Sequence, residues 1–481
     1  MKHLLQPGLL RRWLFLLSVI FILGLVFRPH ELARDYWQVR KARGSAASGD
    51  LLAAAQALVR LAERIPWRTG FWERAGEYAL QGGDPASAVR YLSDAEATHG
   101  LSTEGLATLG MAYQQTGDAS LAIQAWERAI QSGQASANVY MQLYQAHLEQ
   151  GNYAAAAHDL QALAGRQPLD ASLSYQLGLL LAALDPESAL AHLAQAADLH
   201  PSLSASARSV IAAIRTGLLG DDPVYTLLSA GRALAALNEW QLARQAFQEA
   251  IAARPDYAEA WAFLGEASQH PEGLNQEISA LDMLEKALAL DPNSLSANSL
   301  LGLYWRRQGD HERALQYYQR AAEIEANNPI LQVDLGNALA HAGVFEAALA
   351  AFHKAIELAP RDPASYRHLA TFSLSYEYQV RQVALPAARQ ALLLNPDDPA
   401  SLVTMGQVLT RLGDLATAER YLSSAVRADP SHASAHLQLG LVYILRGDRQ
   451  AAFSKWVLVQ NLAPGTPAAD HAQRLLQNYF P

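Results

Sequence analysis

Cysteine is absent from this chain of 481 residues. Its absence excludes disulfide bonds, thiolate metal sites and a cysteine nucleophile, and it is compatible with either redox compartment. Basic charge is in deficit as well, because 37 Lys and Arg against 46 Asp and Glu give a formal net charge of -9. Since a protein that binds phosphates needs a basic surface, we expect no nucleic-acid partner.

Sequence signatures of enzymes are also missing. The chain has no Gly-rich phosphate loop ending in Gly-Lys-Ser/Thr, no H-E-x-x-H, no G-x-S-x-G and no EF-hand spacing. His432 and His436 stand one helical turn apart, but a pair without a third ligand is more typical of solvent-facing side chains than of a metal site. We predict that the protein is not an enzyme and has no catalytic residue, metal or cofactor.

Long apolar runs are rare, with one exception near the start. The fifteen residues from Trp13 to Phe27 carry no charge, and that many helical residues span about 22 Å against about 30 Å for the hydrocarbon core of a bilayer. We predict a transmembrane signal anchor over residues 13–28 behind a short basic tail at 1–12. A cleaved signal peptide and a buried helix are the alternatives, but no small-x-small cleavage site comes after the run.

Two features of the sequence give opposite indications of how this predicted span is oriented in the membrane. Basic residues are more numerous after the run than before it, which favours a cytoplasmic position for the rest of the chain. A short basic tail before a first apolar segment is nevertheless the usual start of a signal anchor that exports the remainder of its chain. We therefore predict a single-pass protein of the cytoplasmic membrane with its larger part outside the cytoplasm.

The pattern that recurs along the chain is clearest from Pro329 to Pro360. Two amphipathic helices are predicted there, because apolar residues fall three or four positions apart on each side of Gly343. Gly343 permits the chain reversal between them. Small residues such as Gly336 let the two backbones approach, and Phe352 fills the space beside them. The predicted unit is an antiparallel helical hairpin.

This unit is repeated in register. A Leu-Gly pair, a Gly-Asp or Gly-Asn turn and a closing Pro return along the chain, and the predicted repeats begin at Asp35, Thr69, Thr103, Ala137, Ala171, Val224, Ala258, Leu295, Pro329, Pro363, Pro399 and Ala433. The spacing and residues resemble the tetratricopeptide repeat, whose signature is 34 residues long. The resemblance implies an all-α superhelical solenoid of about twelve helical hairpins, here preceded by one transmembrane helix.

The register also predicts how the chain is organised. The first array covers residues 35–201, a single linking helix with a bend covers 202–223, the second array covers 224–464, and a capping helix covers 465–481. The linking helix is expected because the interval from 171 to 224 is not a multiple of the repeat length. The final helix is expected to cover the exposed apolar side of the last repeat.

The resemblance further implies which residues line the inner, concave face of the first helices. In the early repeats these are acidic or neutral: Glu73, Glu77, Glu104, Gln114, Met141 and Glu149. In the later repeats they form a largely basic candidate site for a partner: Arg306, Arg307, Asn337, His341, Arg367, Gln407 and Arg411. Asn337 with Arg367 resembles part of the set that grips a peptide carboxylate in this family. A solvated face with no ligand is the alternative interpretation.

The function that these observations imply is a membrane-tethered scaffold or adaptor in bacterial envelope or polysaccharide assembly. Its partners would be other proteins or peptides in the concave groove, and the membrane through the N-terminal helix. One alternative is a substrate-recognition subunit of a glycosyltransferase or another enzyme whose catalytic part is a separate chain. Another is direct glycan binding, although most aromatic residues occupy packing positions.

Overall fold

The computed structural model describes residues 29–65, 69–166, 168, 170–270 and 279–480. All regular secondary structure in these ranges is helical, which confirms the predicted all-α class. The chain divides into two compact units, the first ending at Leu237 and the second beginning at Asn238. Each unit is a succession of antiparallel helices in which chain neighbours pack together.

The described helices of the first unit are α1 (Pro29–Ala47), α2 (Leu51–Arg64), α3 (Thr69–Gln81), α4 (Pro85–His99), α5 (Thr103–Thr116), α6 (Ala119–Gln131), α7 (Ala137–Glu149), α8 (Tyr153–Ala164), α9 (Ala171–Leu184), α10 (Pro186–Leu199), α11 (Pro201–Leu218) and α12 (Pro223–Ala236). The first helices of its hairpins begin where the repeat register predicts, at Thr69, Thr103 and Ala137. The interval predicted as a linking helix contains α11, which packs between α10 and α12.

Those of the second unit are α13 (Trp240–Ala253), α14 (Ala258–Ala267), α15 (Ala280–Leu290), α16 (Leu295–Arg307), α17 (His311–Ile324), α18 (Pro329–His341), α19 (Phe345–Leu358), α20 (Pro363–Ser375), α21 (Ala384–Leu394), α22 (Pro399–Arg411), α23 (Leu415–Ala428), α24 (Ala433–Leu445), α25 (Arg449–Leu462) and α26 (Pro467–Tyr479). First helices also touch one another across hairpins, as α20 does with α22 and α22 with α24. Neighbouring first helices therefore share a face over this part of the second unit.

The Gly-Asp pair ends one helix and starts the next. Gly309 has a φ of +78°, a left-handed conformation that favours glycine, and it closes α16. Asp310 then caps α17, because its carboxylate accepts a hydrogen bond of 3.0 Å from the backbone N–H of Arg313. The hairpin turn is thus specified by two adjacent residues with different tasks.

The fourth residue of several repeats secures the end of the preceding helix. Its side chain donates a hydrogen bond to the carbonyl six residues earlier, which belongs to a closing proline in four of five cases, and the residue type at this place varies. The pairs are Trp261 with Pro255, Asn298 with Pro292, Gln332 with Ala326, Tyr366 with Pro360 and His436 with Pro430. The accepting carbonyl lies two residues beyond the end of the preceding helix, so this donor satisfies a backbone group of the turn that no helical hydrogen bond engages. His436 is 3% exposed, so the prediction that it faces solvent is wrong.

The predicted membrane location is contradicted. Within the ranges that the structure describes, no helix is both long enough and apolar enough to cross a bilayer. The longest of them, α1, has 19 residues and is rich in charge, with Arg34, Asp35 and Lys41 among its side chains. The predicted span at 13–28 and the basic tail at 1–12 lie outside the described residues.

Candidate functional site

The inner face of the first unit contains a cavity of about 350 Å³. Three consecutive first helices, α3, α5 and α7, supply nearly all of its wall. The lining residues are Glu77, Leu80, Gln81, Glu104, Ala107, Thr108, Met111, Trp126, Ser136, Asn138, Val139 and Gln142. Two of these, Glu77 and Glu104, are among the inner-face residues that the repeat register predicts. The structure therefore brings side chains from three hairpins to one cavity.

The cavity is acidic and has no internal counter-charge. Glu77 and Glu104 are both exposed, and none of the lining residues is basic. Glu77 accepts one hydrogen bond of 3.2 Å, from the amide of Gln81, which is a neutral group. In the described part of the chain, neither carboxylate forms an ion pair. Both carboxylates can therefore meet a ligand without first breaking a salt bridge.

Glu73 has a structural task instead. Its carboxylate accepts hydrogen bonds of 2.8 Å from the backbone N–H and 2.6 Å from the hydroxyl of Ser102. Ser102 itself caps α5, so Glu73 ties α3 to the start of the next hairpin. Gln114, Met141 and Glu149 do not line the cavity.

In the second unit, most of the predicted basic residues are paired within the chain. Arg307 donates two hydrogen bonds, of 2.9 and 2.8 Å, to the two carboxylate oxygens of Glu266 on α14, and a third of 3.3 Å to Gln269. Bidentate guanidinium–carboxylate pairs of this kind are the stronger, geometrically specific class of ion pair. Arg307 therefore joins two neighbouring hairpins.

Arg367 and Arg411 behave in the same way. Arg367 donates a hydrogen bond of 2.8 Å to Asp398, the residue that caps α22. Burial by itself raises the pKa of Asp398, but hydrogen bonds from Ser401 and the Arg367 guanidinium bring that pKa below its usual value. Arg411 forms an ion pair with Glu377 in the turn after α20. The acidic partners of these arginines offset much of the positive charge predicted for this face.

His341 belongs to a ring cluster at the hairpin turns. Its imidazole stacks on that of His311 with ring centroids 4.9 Å apart, and its Nδ1 shares a hydrogen bond of 2.9 Å with the hydroxyl of Tyr376. Burial, His311 and Arg306 lower the pKa of His341. The imidazole is therefore neutral near pH 7 and adds no charge to the site.

The remaining predicted residues are open. Arg306, Asn337 and Gln407 are each partly exposed, and no hydrogen bond or ion pair engages them within the described ranges. Asp334 is close enough for Arg306 to lower its pKa, although burial is the larger influence and leaves that pKa raised. No described contact joins Asn337 to Arg367, because the guanidinium of Arg367 is turned towards Asp398.

Several lining residues were not singled out from the sequence. Leu80 and Gln81 occupy the twelfth and thirteenth places of their repeat, as the predicted inner-face residues Arg306 and Arg307 do in theirs, and Asn138 occupies the second place, as Glu104 does. These residues could therefore have been assigned to the inner face from the sequence.

Among the described residues, no group of three or more His, Asp or Glu side chains could hold a metal ion.

Comparison with known proteins agrees with this architecture. One model of the tetratricopeptide repeat matches residues 141–204, 228–268, 279–329 and 403–461, and a second matches 306–371. The chain belongs to the tetratricopeptide repeat family. Tetratricopeptide-repeat proteins are generally protein-interaction scaffolds, and the matches indicate no enzyme family.

The relatives found among characterised proteins match over limited stretches. Tetratricopeptide repeat protein 8 of Caenorhabditis elegans is 22% identical over 171 residues, which is 35% of this chain and 33% of the relative. A TPR repeat-containing protein of Pseudomonas aeruginosa is 43% identical over 74 residues, which is 14% of this chain and 12% of the relative. The chain thus spans a third or less of the length of these two relatives.

Matches to solved structures cover more of the chain but at low identity. Yeast Tom70 is 15% identical with a TM-score of 0.43, and the match covers 93% of this chain and 96% of that one. The Cut9 and Hcn1 hetero-tetramer of the APC/C gives 16% identity and a TM-score of 0.43, with 94% and 99% coverage.

Proposed function

We propose that this tetratricopeptide-repeat protein is a non-catalytic scaffold that binds partner proteins through the inner faces of its two units. The observation that carries the proposal is the cavity of about 350 Å³ in the first unit, walled by first helices of three successive hairpins. Its volume is at the lower end of the roughly 300–1,000 Å³ typical of ligand sites, which suits side chains of an extended segment.

The second unit also has polar side chains that are free to bind a ligand. Arg306, Asn337 and Gln407 are the predicted inner-face residues of α16, α18 and α22. No hydrogen bond or ion pair joins them to another described residue. Amide side chains can both donate and accept, so Asn337 and Gln407 can bind the backbone of an extended segment. Arg307, Arg367 and Arg411 support the frame of the site through their intramolecular ion pairs.

The proposal contains no membrane tether. The envelope and polysaccharide-assembly context predicted from the sequence depended on that tether, so it has no place here. What supports a scaffold is the combination of an open inner face, unpaired polar groups on it and a family whose members generally bind proteins.

Photo-crosslinking tests the proposal. A photoreactive amino acid is introduced at Gln142 or Gln407 on the inner faces, and at Arg389 on α21 as an outer control. Arg389 is exposed and forms no ion pair in the described structure. We expect crosslinked partner proteins from the inner positions and few from the control position. Equal yields at inner and outer positions, or yields only at Arg389, would contradict binding through the inner faces.

A further inference from the structure

We infer that the cavity of the first unit is a docking site for an extended partner segment that places a Lys or Arg side chain between Glu77 and Glu104. This inference rests on the proposed scaffold function and specifies the chemistry of its partner. The cavity, rather than the basic residues of the second unit, is then where charge selects the ligand.

The charge of the cavity is complementary to a basic side chain. The two glutamates come from different hairpins, α3 and α5, and converge on one cavity in which no lining residue is basic. Two other carboxylates on the first helices have partners inside the chain, because Glu73 accepts hydrogen bonds from Ser102 and Glu266 forms an ion pair with Arg307. Glu77 and Glu104 have no cationic partner among the described residues, so a cation from outside the chain can pair with them.

The rest of the lining suits the shape of a long basic side chain. Leu80, Ala107 and Met111 are half-buried and give the cavity apolar wall, against which the methylene stem of Lys or Arg can pack. Met adapts its shape to such a stem because its side chain is unbranched and flexible. A carboxylate-bearing segment would instead meet two like charges without compensation.

The remaining polar groups suit an extended backbone. Gln81, Asn138 and Gln142 come from α3 and α7 and line the cavity on either side of α5. Each amide can donate to a peptide carbonyl and accept from a peptide N–H. An extended segment presents both groups along its length, which a folded surface with internally paired backbone does not.

The test is selection of random linear peptides displayed on phage against the full chain. It is repeated on Glu77→Gln/Glu104→Gln and on a matched control, Glu63→Gln/Glu187→Gln, which removes two exposed carboxylates from α2 and α10. We expect wild type and control to enrich peptides with Lys or Arg at one fixed position. The cavity variant should lose that preference while keeping the melting temperature of the wild type.

An enriched peptide is then synthesised with its basic residue intact or replaced by norleucine, and binding is followed by fluorescence anisotropy. We expect either the peptide change or the cavity variant to weaken binding roughly tenfold, in the range of a charge-assisted hydrogen bond. Combining both changes should weaken it little further, because they remove the same interaction.

Three outcomes would overturn the inference even though peptides are enriched. They are enrichment without a fixed basic position, enrichment of acidic peptides, and affinity that Glu77→Gln/Glu104→Gln leaves unchanged. Each of these leaves the scaffold function standing, because peptides still bind. Absence of any enriched peptide also overturns the inference, and the inner-face crosslinks then decide separately whether the protein binds partners by another mode.

Discussion

Arg307 and Glu266 lie on the first helices of neighbouring hairpins and are joined by two hydrogen bonds between guanidinium and carboxylate, of 2.9 and 2.8 Å. The side chain of Glu266 is 13% exposed and that of Arg307 is 38% exposed. Since a mostly buried carboxylate needs a partner, this pair is part of the frame of the second unit. The groove residues of a repeat protein thus divide into those that hold hairpins together and those that are open to a ligand.

Replacement of Arg307 by Ala should destabilise the contact between α14 and α16 by about 1–2 kcal/mol, because it leaves the carboxylate of Glu266 largely buried without its cation. Repeat arrays can open locally, so amide hydrogen exchange in those two helices is the appropriate measurement. Arg389→Ala, which removes an exposed unpaired arginine, is the control and should change exchange little. Equal effects of the two substitutions would show that the ion pair does not stabilise the interface.

Replacement of Gly440 by Ala should destabilise the second unit by roughly 1–3 kcal/mol, the range for overpacking a core. A Cβ there would lie about 2.2 Å from Nε1 of Trp456, and that ring is fully buried and donates a hydrogen bond of 3.1 Å to the carbonyl of Leu437. Thermal unfolding followed by circular dichroism measures the change.

The matched control is Gly44→Ala in α1, where a Cβ would meet nothing within 4 Å. Alanine is the better helix former, so we expect that substitution to be neutral or stabilising by up to about 1 kcal/mol. If both alanines lowered the melting temperature equally, close packing of Trp456 on Gly440 would not be the cause.

The helices could be predicted from the sequence, because each helix depends on residues that are close together in the chain. Gly336 and Phe352 predicted a close approach within one hairpin, and the ring of Phe352 lies 3.0 Å from where a Cβ on Gly336 would stand, which confirms it. Gly343 has a φ of +77°, as a chain reversal requires. Such patterns recur along the chain, so a repeat that departs from the signature can still be located from its spacing to the other repeats.

Side-chain partners between repeats could not be predicted in the same way. Arg367 and Asp398 are 31 residues apart in the chain. They form a hydrogen bond because the first helix of one hairpin, α20, lies beside the N-terminal cap of the next first helix, α22. The repeat register gives the place of each residue but not the rotamer that turns a guanidinium towards a neighbouring cap. The sequence therefore indicated an inner face, while the division into paired and open charges required the side-chain contacts.

Asp398 provides a test of acid sensitivity. Its pKa is lowered in the folded state, so its contribution to stability is present above the unfolded pKa of about 3.9 and is lost as pH falls through the lower folded value. Asp398→Asn keeps a good cap but removes the charge that attracts Arg367, and should cost about 1 kcal/mol at pH 7.

The melting temperature of this variant, compared with wild type between pH 7 and the acid limit of folding, measures the effect. We expect the difference from wild type to shrink as the solution becomes more acidic than the unfolded pKa. Asp397→Asn is the control, because Asp397 is exposed and has no described partner. A difference that is independent of pH would show that charge at Asp398 contributes nothing.

Asp159 should show the opposite dependence on pH. Burial raises its pKa, and this outweighs the hydrogen bond of 2.7 Å and the charge interaction with His147, which lower it; His158 lowers it and Glu127 raises it. A raised folded-state pKa means that stability is greatest below the unfolded value and is lost as pH rises through the folded value.

The variant Asp159→Asn keeps a side chain that can hydrogen-bond to His147 but cannot ionise. The stability of wild type relative to this variant should therefore fall as pH rises above about 4, by about 1.4 kcal/mol for each unit by which burial has raised the pKa. Hydrogen exchange in α7 and α8 measures it, with Asp198→Asn on the exposed side of α10 as control. Because Asp398 and Asp159 predict slopes of opposite sign in the same chain, a general effect of acid cannot produce both.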